Sequence, residues 1–270
     1  MVAPALLYDK RDGIAYITIN RPEKRNAFSP EVICRLADAW QDYAADDALR
    51  VAIITGAGEQ SFSAGADLGR LTPLMSGGRQ PEDEWDHRLL KNPQLGQVAT
   101  LRGITMYKPI IAAINGFCLA GGCELIQATD IRIAAEHATF ALTEVKWSLL
   151  PFAGSMVRLP RQIPFSKAME IMLVGDTFPA QEAYRIGLIN YVVPADQVML
   201  KAEELARKIA DNGPIAVRKI KETVLRALSV SLDEGFKIEN EAAREVLATE
   251  DAKEGPRAFM EKRKPQYTGK

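Results

Sequence analysis

The chain has 270 residues, of which 47% are hydrophobic, and its formal net charge at pH 7 is −1. A chain of this length and composition is able to bury a sizeable single core. The near-zero net charge gives no support for binding to nucleic acid or to an anionic membrane surface. The three cysteines form no CxxC pair, and such a sparse, odd set favours reduced thiols over a disulfide framework or a metal site.

The first nine residues lack the basic region and apolar stretch that are typical of a signal peptide. No apolar run reaches the length that is needed to span a bilayer. We therefore expect a cytoplasmic protein without a membrane partner.

The first part of the chain predicts strands that are separated by helical segments. Residues 13–20 alternate between the two faces of a strand. Ser29 followed by Pro30 predicts the start of a helix, because serine caps helices and proline is tolerated at the first helical position. Residues 51–55 are a short, continuous apolar run, which is typical of a strand that is buried on both faces.

Two later segments repeat one order of elements. Residues 109–115 predict a strand, and residues 121–128 predict a helix that opens with glycine. The loop before this helix contains Ala120-Gly121-Gly122, which is similar to Ala64-Gly65-Ala66 in the preceding unit. This similarity favours a repeating ββα spiral.

Residues 71–92 differ from the rest in being rich in proline, glycine and acidic residues. They predict a mobile, partly helical segment over a cleft, although a solvated surface loop without a role fits the composition equally well. From residue 198 onward the pattern is helical, so we expect a core over 1–195 and a helical region over 196–270. The helices are expected to leave an apolar stripe free for subunit contacts, formed by Leu205, Ile209, Val217, Ile220, Val224 and Leu228.

Two glutamates stand where a strand delivers an acid to a pocket. Glu124 follows an apolar strand and the glycine pair that opens a helix, and Glu144 follows another short strand. Two carboxyl groups that face one cleft are what addition or elimination of water needs, since one takes a proton and the other gives it. Gly121 would add bare N–H groups for a developing negative charge. Singly, Glu124 also fits an acid that complements a helix dipole, and Glu144 an exposed surface acid.

The order of these motifs resembles the crotonase superfamily, the enoyl-CoA hydratase/isomerase group. Residues 20–28 are similar to its coenzyme A loop, 61–68 to one oxyanion-hole loop, and 116–125 to the other. Residues 254–263 resemble its C-terminal segment, so the likeness covers nearly the whole chain. The resemblance implies an α/β fold, a right-handed spiral of ββα repeats, with a helical C-terminal region that forms a trimer or a dimer of trimers.

The resemblance also implies a reaction, the reversible hydration of a trans-2-enoyl-CoA to a 3-hydroxyacyl-CoA. Glu144 would deliver the proton to the α-carbon and Glu124 would hold or activate water, while the N–H groups of Ala66 and Gly121 would bind the thioester oxygen. No metal and no further cofactor is implied, because coenzyme A is part of the substrate. The residues implied to bind the acyl-CoA, the last two from a neighbouring subunit, are Lys24, Arg25, Ala27, Ala64, Asp67, Leu68, Phe259 and Lys262.

Two alternatives remain open. Another crotonase reaction, such as double-bond isomerisation or a specialised dehydration, would use the same site, and a non-catalytic acyl-CoA-binding protein would keep only the fold. The presence of both acids favours water chemistry, because isomerisation needs a single proton shuttle. The chain departs from the family at Thr143, where hydratases usually carry proline, and over residues 147–155, where relatives are glycine-rich. The departure is expected to place bulk near the acyl pocket through Trp147, Phe152 and Met156.

Overall fold

The computed structural model describes residues 3–270, so the expectations that concern Met1 and Val2 lie outside the described residues. The described chain forms ten strands in two sheets. The strands are β1 (Leu6–Arg11), β2 (Ile14–Ile19), β3 (Val51–Gly56), β4 (Ser61–Ser63), β5 (Ile110–Ile114), β6 (Phe117–Leu119), β7 (Ile131–Ala135), β8 (Thr139–Ala141), β9 (Phe178–Pro179) and β10 (Tyr191–Val193). The larger sheet has the order β1-β2-β3-β5-β7-β10, and the smaller has the order β4-β6-β8-β9.

Twelve α-helices connect and cover these sheets within residues 3–270. They are α1 (Pro30–Ala45), α2 (Leu71–Met75), α3 (Glu84–Lys91), α4 (Gln94–Ala99), α5 (Gly121–Ile126), α6 (Ser155–Gln162), α7 (Phe165–Val174), α8 (Ala180–Arg185), α9 (Val198–Ala210), α10 (Pro214–Ala227), α11 (Leu232–Leu247) and α12 (Glu250–Met260). None of the helices in this range is both long and apolar enough to cross a membrane.

The predicted ββα repeat is confirmed. The pairs β3–β4, β5–β6 and β7–β8 each give their first strand to the larger sheet and their second strand to the smaller one. Strands β3, β5 and β7 pair in parallel, as do β4, β6 and β8, so each turn returns through helices before the next begins. As a result, the loops that follow β4, β6 and β8 are stacked beside one another.

The buried elements follow from their sequences. Strand β5 is apolar and buried along its whole length, and β3 is buried apart from Thr55, as expected for strands covered on both faces. Helix α1 begins where Ser29 and Pro30 predict, since the Ser29 side chain accepts a hydrogen bond from the N–H of Val32. Strand β1 was not predicted. It pairs antiparallel with β2, but most of its side chains are not buried, which leaves little apolar alternation to read.

The segment 71–92 is partly helical, as predicted. It is fixed by charged contacts: the fully buried Asp86 accepts two hydrogen bonds from Arg79, at 2.6 and 2.8 Å. Arg88 donates to Asp38 on α1 at 2.8 and 2.5 Å. These pairs join the segment to itself and to the body of the protein, and its proposed position over the cleft stays a prediction.

The C-terminal helices divide into two groups. Helix α9 packs on the larger sheet and contributes Val198, Ala202 and Ala206 to the main core. Leu205 and Ile209 also pack against that core, so the expectation that these two residues are left for subunit contacts is wrong. Helical spacing identifies the apolar face of a helix but not what it packs against. The part with an exposed apolar face begins at α10, where Ile220, Val224 and Leu228 are exposed.

Candidate active site

Glu124 is a buried acid at the start of α5. Its residue is only 3% exposed, and its Oε1 accepts a hydrogen bond of 3.1 Å from the N–H of Ser155, the first residue of α6. Burial raises the pKa of Glu124 to about 7, an effect that the Ser155 N–H opposes and the charge of Glu144 reinforces. At neutral pH this carboxyl group is therefore able both to take up and to release a proton.

Glu144 lies on the loop side of β8, as predicted, and opens a short 3-10 turn over Glu144–Trp147. The residue is half-buried, and burial raises the pKa of its carboxyl group too. Its Oε2 is buried and finds no hydrogen-bond partner within residues 3–270. A buried acceptor without a partner is costly and calls for an explanation, such as a ligand or a water molecule that the site is built to hold.

The two carboxyl groups lie close to each other, since each affects the pKa of the other. Two interacting carboxyl groups release their protons in two steps that belong to the pair. One proton is held above the ordinary range of a glutamate, so one member is able to serve as an acid while the other serves as a base. The structure thus brings together the two acids that the sequence predicts.

The N–H of Ala66 points away from the segment around Phe28, with which Ala66 pairs. Ala66 forms a parallel bridge with Phe28, in which the N–H of Phe28 donates to the carbonyl of Gly65 and the N–H of Asp67 donates to the carbonyl of Phe28. Because bonding groups alternate along an extended segment, the N–H between them faces the opposite side. It donates no hydrogen bond to any described residue.

The N–H of Gly121, like that of Ala66, donates no hydrogen bond to any residue within 3–270. Gly121 is the first residue of α5, where no preceding turn supplies a carbonyl. The preceding Ala120 has φ 48° and ψ −126°, a conformation that costs a non-glycine residue on the order of 1–3 kcal/mol. The chain therefore carries strain at the residue that directs this N–H.

The two donors are neighbours because Gly65 packs directly on the start of α5. A Cβ atom at Gly65 would lie 2.7 Å from the nitrogen of Gly121 and 2.7 Å from the Cβ of Ala120. Gly65 also has a φ of +83°, which only glycine adopts without strain. The β4 and β6 loops of two successive ββα units thus place two bare N–H groups side by side. Such a pair suits an oxygen atom on which negative charge develops.

The residues expected to bind coenzyme A fall into two groups. Six lie on two adjoining loops, which are joined by a hydrogen bond of 3.0 Å from the N–H of Ala64 to the carbonyl of Arg25. Among the six, Lys24, Arg25 and Leu68 are exposed, Ala64 and Asp67 are half-buried, and Ala27 is buried. Phe259, which is 82% exposed, and Lys262 lie at the C-terminal end of α12 and make no hydrogen bond to those loops among the described residues.

Three further contacts matter to the site and were not predicted. Asp67 is held in an ion pair of 2.9 Å with Arg21, and the same guanidinium donates to the carbonyl of Ala27, so Asp67 braces the two loops. Arg25 lies over the ring of Phe117, 5.5 Å from its centre. Ser155 donates to Glu124 from a residue 31 positions further along. The only sequence signal for Ser155 was its place in a segment where relatives are glycine-rich.

The side chains expected to add bulk near the acyl pocket are exposed. Trp147, Phe152 and Met156 lie on the segment that runs from the 3-10 turn into α6. Their influence on the acyl chain stays a prediction.

Comparisons with known proteins identify the family of the chain. The family model described as "Enoyl-CoA hydratase/isomerase" matches residues 9–270, and the chain belongs to this family, the crotonase superfamily. The chain is 41% identical to enoyl-CoA hydratase EchA19 of Mycobacterium tuberculosis, over 98% of this chain and 96% of that protein. It is 37% identical to carnitinyl-CoA dehydratase of Proteus mirabilis, over 96% and 97%.

Solved structures show the same fold. The crystal structure of enoyl-CoA hydratase from Bacillus anthracis superposes with a TM-score of 0.88 at 37% identity, over 98% of this chain and all of that one. The predicted α/β fold of the crotonase type is confirmed. The protein is accordingly an enzyme of the hydratase/isomerase kind.

Proposed function

We propose that the protein catalyses the reversible hydration of a trans-2-enoyl-CoA to a 3-hydroxyacyl-CoA. The observation that carries this proposal is the combination of one buried and one half-buried acid, both with raised pKa, and two neighbouring N–H groups that have no acceptor among residues 3–270. Water addition needs a base and an acid at one place, and the thioester needs donors for the charge that its oxygen gains.

In the proposed reaction the N–H groups of Ala66 and Gly121 bind the thioester oxygen. Glu124, held in place by Ser155, takes a proton from water as the water oxygen bonds to C3 of the substrate. Glu144 gives a proton to C2, so that the elements of one water molecule are added and no electron is gained or lost. Each preformed donor is expected to lower the barrier by about 3 kcal/mol, by analogy with other oxyanion holes. Neither a metal nor a redox cofactor enters this proposal.

The second candidate is another reaction of the same family. A relative at 37% identity is named a carnitinyl-CoA dehydratase, and elimination of water from such a hydroxyacyl-CoA uses the same pair of acids in reverse. Double-bond isomerisation is less well supported, because it moves one proton between two carbons and leaves the second buried acid without a task. The presence of both acids likewise argues against a non-catalytic acyl-CoA-binding protein.

The acyl-CoA is proposed to lie along the two loops that carry the six candidate residues Lys24, Arg25, Ala27, Ala64, Asp67 and Leu68. The bases at the exposed rim, Lys24 and Arg25, suit the phosphates of the nucleotide. Asp67 acts through its ion pair with Arg21, which fixes the spacing of the loops. Coenzyme A enters as part of the substrate.

We further propose that the protein assembles as a trimer or a dimer of trimers. The exposed apolar residues Ile220 and Val224 on α10, and Leu228 directly after it, support an interface. A neighbour would then supply Phe259 and Lys262 to the nucleotide. Light scattering at working concentration tests this: a trimer or hexamer is expected, and a monomer contradicts both the assembly and the role across subunits.

The reaction itself is tested with enoyl-CoA thioesters of increasing chain length, by following the loss of enoyl-thioester absorbance and identifying the product. A 3-hydroxyacyl-CoA product is expected, and it should revert to the enoyl-CoA in the same assay. A trans-3-enoyl-CoA and a 4-trimethylammonium-3-hydroxyacyl-CoA are included for the two rival reactions. Turnover of only one of these, with no hydration of any 2-enoyl-CoA, would replace the proposal.

A further inference from the structure

Ala66 is held from both sides by contacts to the segment that contains Phe28. The carbonyl of Gly65 accepts a hydrogen bond of 2.7 Å from the N–H of Phe28, and the N–H of Asp67 donates at 3.0 Å to the carbonyl of Phe28. Ala66 lies between these two bonds, so a shift of one segment against the other changes the direction of its N–H. The aim of this donor therefore depends on what fixes the two segments to each other.

An ion pair fixes the two segments at this point. Nη1 of Arg21 donates to Oδ2 of Asp67 at 2.9 Å and to the carbonyl of Ala27 at 2.8 Å. These contacts reach the residue directly after Ala66 and the residue directly before Phe28. The two charged side chains are only 15% and 16% exposed, so water and salt screen their attraction less than that of a surface pair.

Arg21 is itself firmly anchored. Its N–H donates to Oδ1 of Asn26 at 2.9 Å, and its carbonyl accepts from the N–H of Asn26 at 2.8 Å. The side-chain amide of Asn26, a residue without exposed surface, donates to the carbonyls of Ala57 and Ser61 at 2.9 and 2.6 Å. The backbone of Arg21 is therefore joined to the connection between β3 and β4, and its guanidinium reaches Asp67 from a fixed point.

Both carboxyl oxygens of Asp67 have partners within the protein. Oδ2 accepts from Arg21, and Oδ1 accepts a hydrogen bond of 3.2 Å from the N–H of Gly69. The backbone carbonyl of Asp67 also accepts from the N–H of Leu71, at the start of α2. These contacts suit a side chain that fixes the backbone beside Ala66 better than one that contacts a substrate.

We infer that Arg21 and Asp67 are positioning residues, whose ion pair aims the N–H of Ala66 at the thioester oxygen. This inference rests on the proposed function, and it gives Asp67 a part in the rate of reaction in place of one in binding coenzyme A. A preformed donor lowers the barrier when it is directed at the atom on which charge develops. Loosening it should therefore slow the chemical step and leave acyl-CoA affinity largely unchanged.

The experiment compares the wild type with Asp67→Asn, which keeps side-chain volume and an oxygen for the Gly69 N–H. Its amide would present an NH2 group to Arg21, so the guanidinium loses its charged acceptor. We expect kcat to fall roughly tenfold, less than the roughly 10²-fold loss on removing a donor outright, with the Kd of a saturated acyl-CoA within a few-fold. An unchanged kcat in the folded variant would overturn the inference, and a raised Kd beside it would assign Asp67 to substrate binding.

A double-mutant cycle tests whether the two residues act as a pair. Arg21→Gln should slow turnover by a similar factor, and its combination with Asp67→Asn should be little slower than either single variant, because both remove one ion pair. Rate losses that multiply would contradict a shared task. Asp42→Asn is the matched control, since Asp42 on α1 pairs with Lys10 on β1, and it should leave kcat unchanged. Circular dichroism and thermal melting verify that each variant is folded.

An independent readout distinguishes failure of this inference from failure of the proposed function. Infrared spectroscopy of a bound saturated acyl-CoA, isotopically labelled at the thioester carbonyl, reports how strongly the N–H groups polarise this carbonyl without any turnover. We expect binding to lower the carbonyl frequency in the wild type and to lower it less in Asp67→Asn. This result supports the inference even if no hydration is found, and equal frequencies in the two proteins refute it, whatever the activity.

Discussion

Glu124 and Glu144 lie close to each other but are held very differently. Glu124 is on a helix, almost fully buried, and accepts a hydrogen bond from the start of α6. Glu144 begins a 3-10 turn, is half-buried, and has an oxygen without a partner among the described residues. Glu124 is thus fixed by a hydrogen bond within the protein, whereas Glu144 has one carboxyl oxygen that is able to accept a hydrogen bond from a ligand.

This difference suggests how the proposed work is divided. A carboxylate that is fixed by a donor keeps its direction while it takes a proton, which suits the group that activates water. A carboxyl group with an uncommitted oxygen is able to turn toward a carbon and deliver its proton. The pair would then exchange roles when the reaction runs in reverse, since the group that accepts a proton in one direction donates it in the other.

The largest expected effect is on the rate of hydration when either acid is changed. Glu124→Gln and Glu144→Gln keep side-chain volume but cannot exchange a proton, so each should lower kcat by roughly 10²-fold or more, with acyl-CoA affinity within a few-fold. Steady-state kinetics and acyl-CoA binding measure the two quantities. Normal turnover in Glu144→Gln would break the comparison, because its free oxygen would then have no chemical task.

The double variant sharpens the same comparison. If the two acids act as one unit, Glu124→Gln combined with Glu144→Gln should be little slower than the slower single variant. Rate losses that multiply would mean that the two acids act in independent steps. Glu136→Gln, at an exposed acid in a turn, serves as the control and should leave the rate unchanged.

The second largest effect on kcat is expected when an N–H group that is proposed to bind the thioester oxygen is removed. Proline at residue 66 has no N–H, so Ala66→Pro should lower kcat roughly 10²-fold, the loss of one oxyanion-hole donor. Ala66→Gly keeps the N–H and is the matched control, which should retain most of the activity. Circular dichroism verifies folding of both. A folded Ala66→Pro enzyme with normal turnover would contradict the role of this donor, and the acids would need another way to stabilise the thioester oxygen.

The motifs of the site could be predicted from sequence because they are local. Glu124 and Gly121 lie within one strand, loop and helix, and Glu144 directly follows a short strand, so each is placed by its own unit. The structure then brings the units together, as the repeat predicts. What each unit contacts in the next one could not be predicted, because no local pattern encodes it.

The missed contacts at the site join distant parts of the chain. Ser155 reaches Glu124 from 31 residues away, and Arg21 reaches Asp67 from 46 residues away. Leu205 and Ile209 form an apolar stripe in the sequence, but only the fold shows that the sheet covers them. Strand β1 has few buried side chains, so its pairing with β2 leaves a weak pattern.

The last prediction concerns stability, which the raised pKa of Glu124 should make dependent on pH. Its pKa is raised in the folded protein, from 4.5 to about 7, so the folded state holds this proton more tightly than the unfolded state. The contribution of Glu124 to the free energy of unfolding is therefore largest at low pH, where it stabilises the folded state, and it falls as the pH rises from about 4.5 toward 7. The full cost of the buried charge, at most roughly 3 kcal/mol, applies above that range.

Glu124→Gln removes this cost while its amide oxygen still accepts the Ser155 N–H. The variant should therefore have a higher Tm than the wild type at pH 8 and nearly the same Tm at pH 4.5, as thermal melting at the two values would show. Glu136→Gln is again the control, and it should change Tm little at either pH. If Glu124→Gln lowered Tm equally at both pH values, the carboxyl group would contribute through packing and hydrogen bonding alone. The contrast between Glu124 and Glu144 would then no longer hold, because Glu124 would carry no destabilising buried charge.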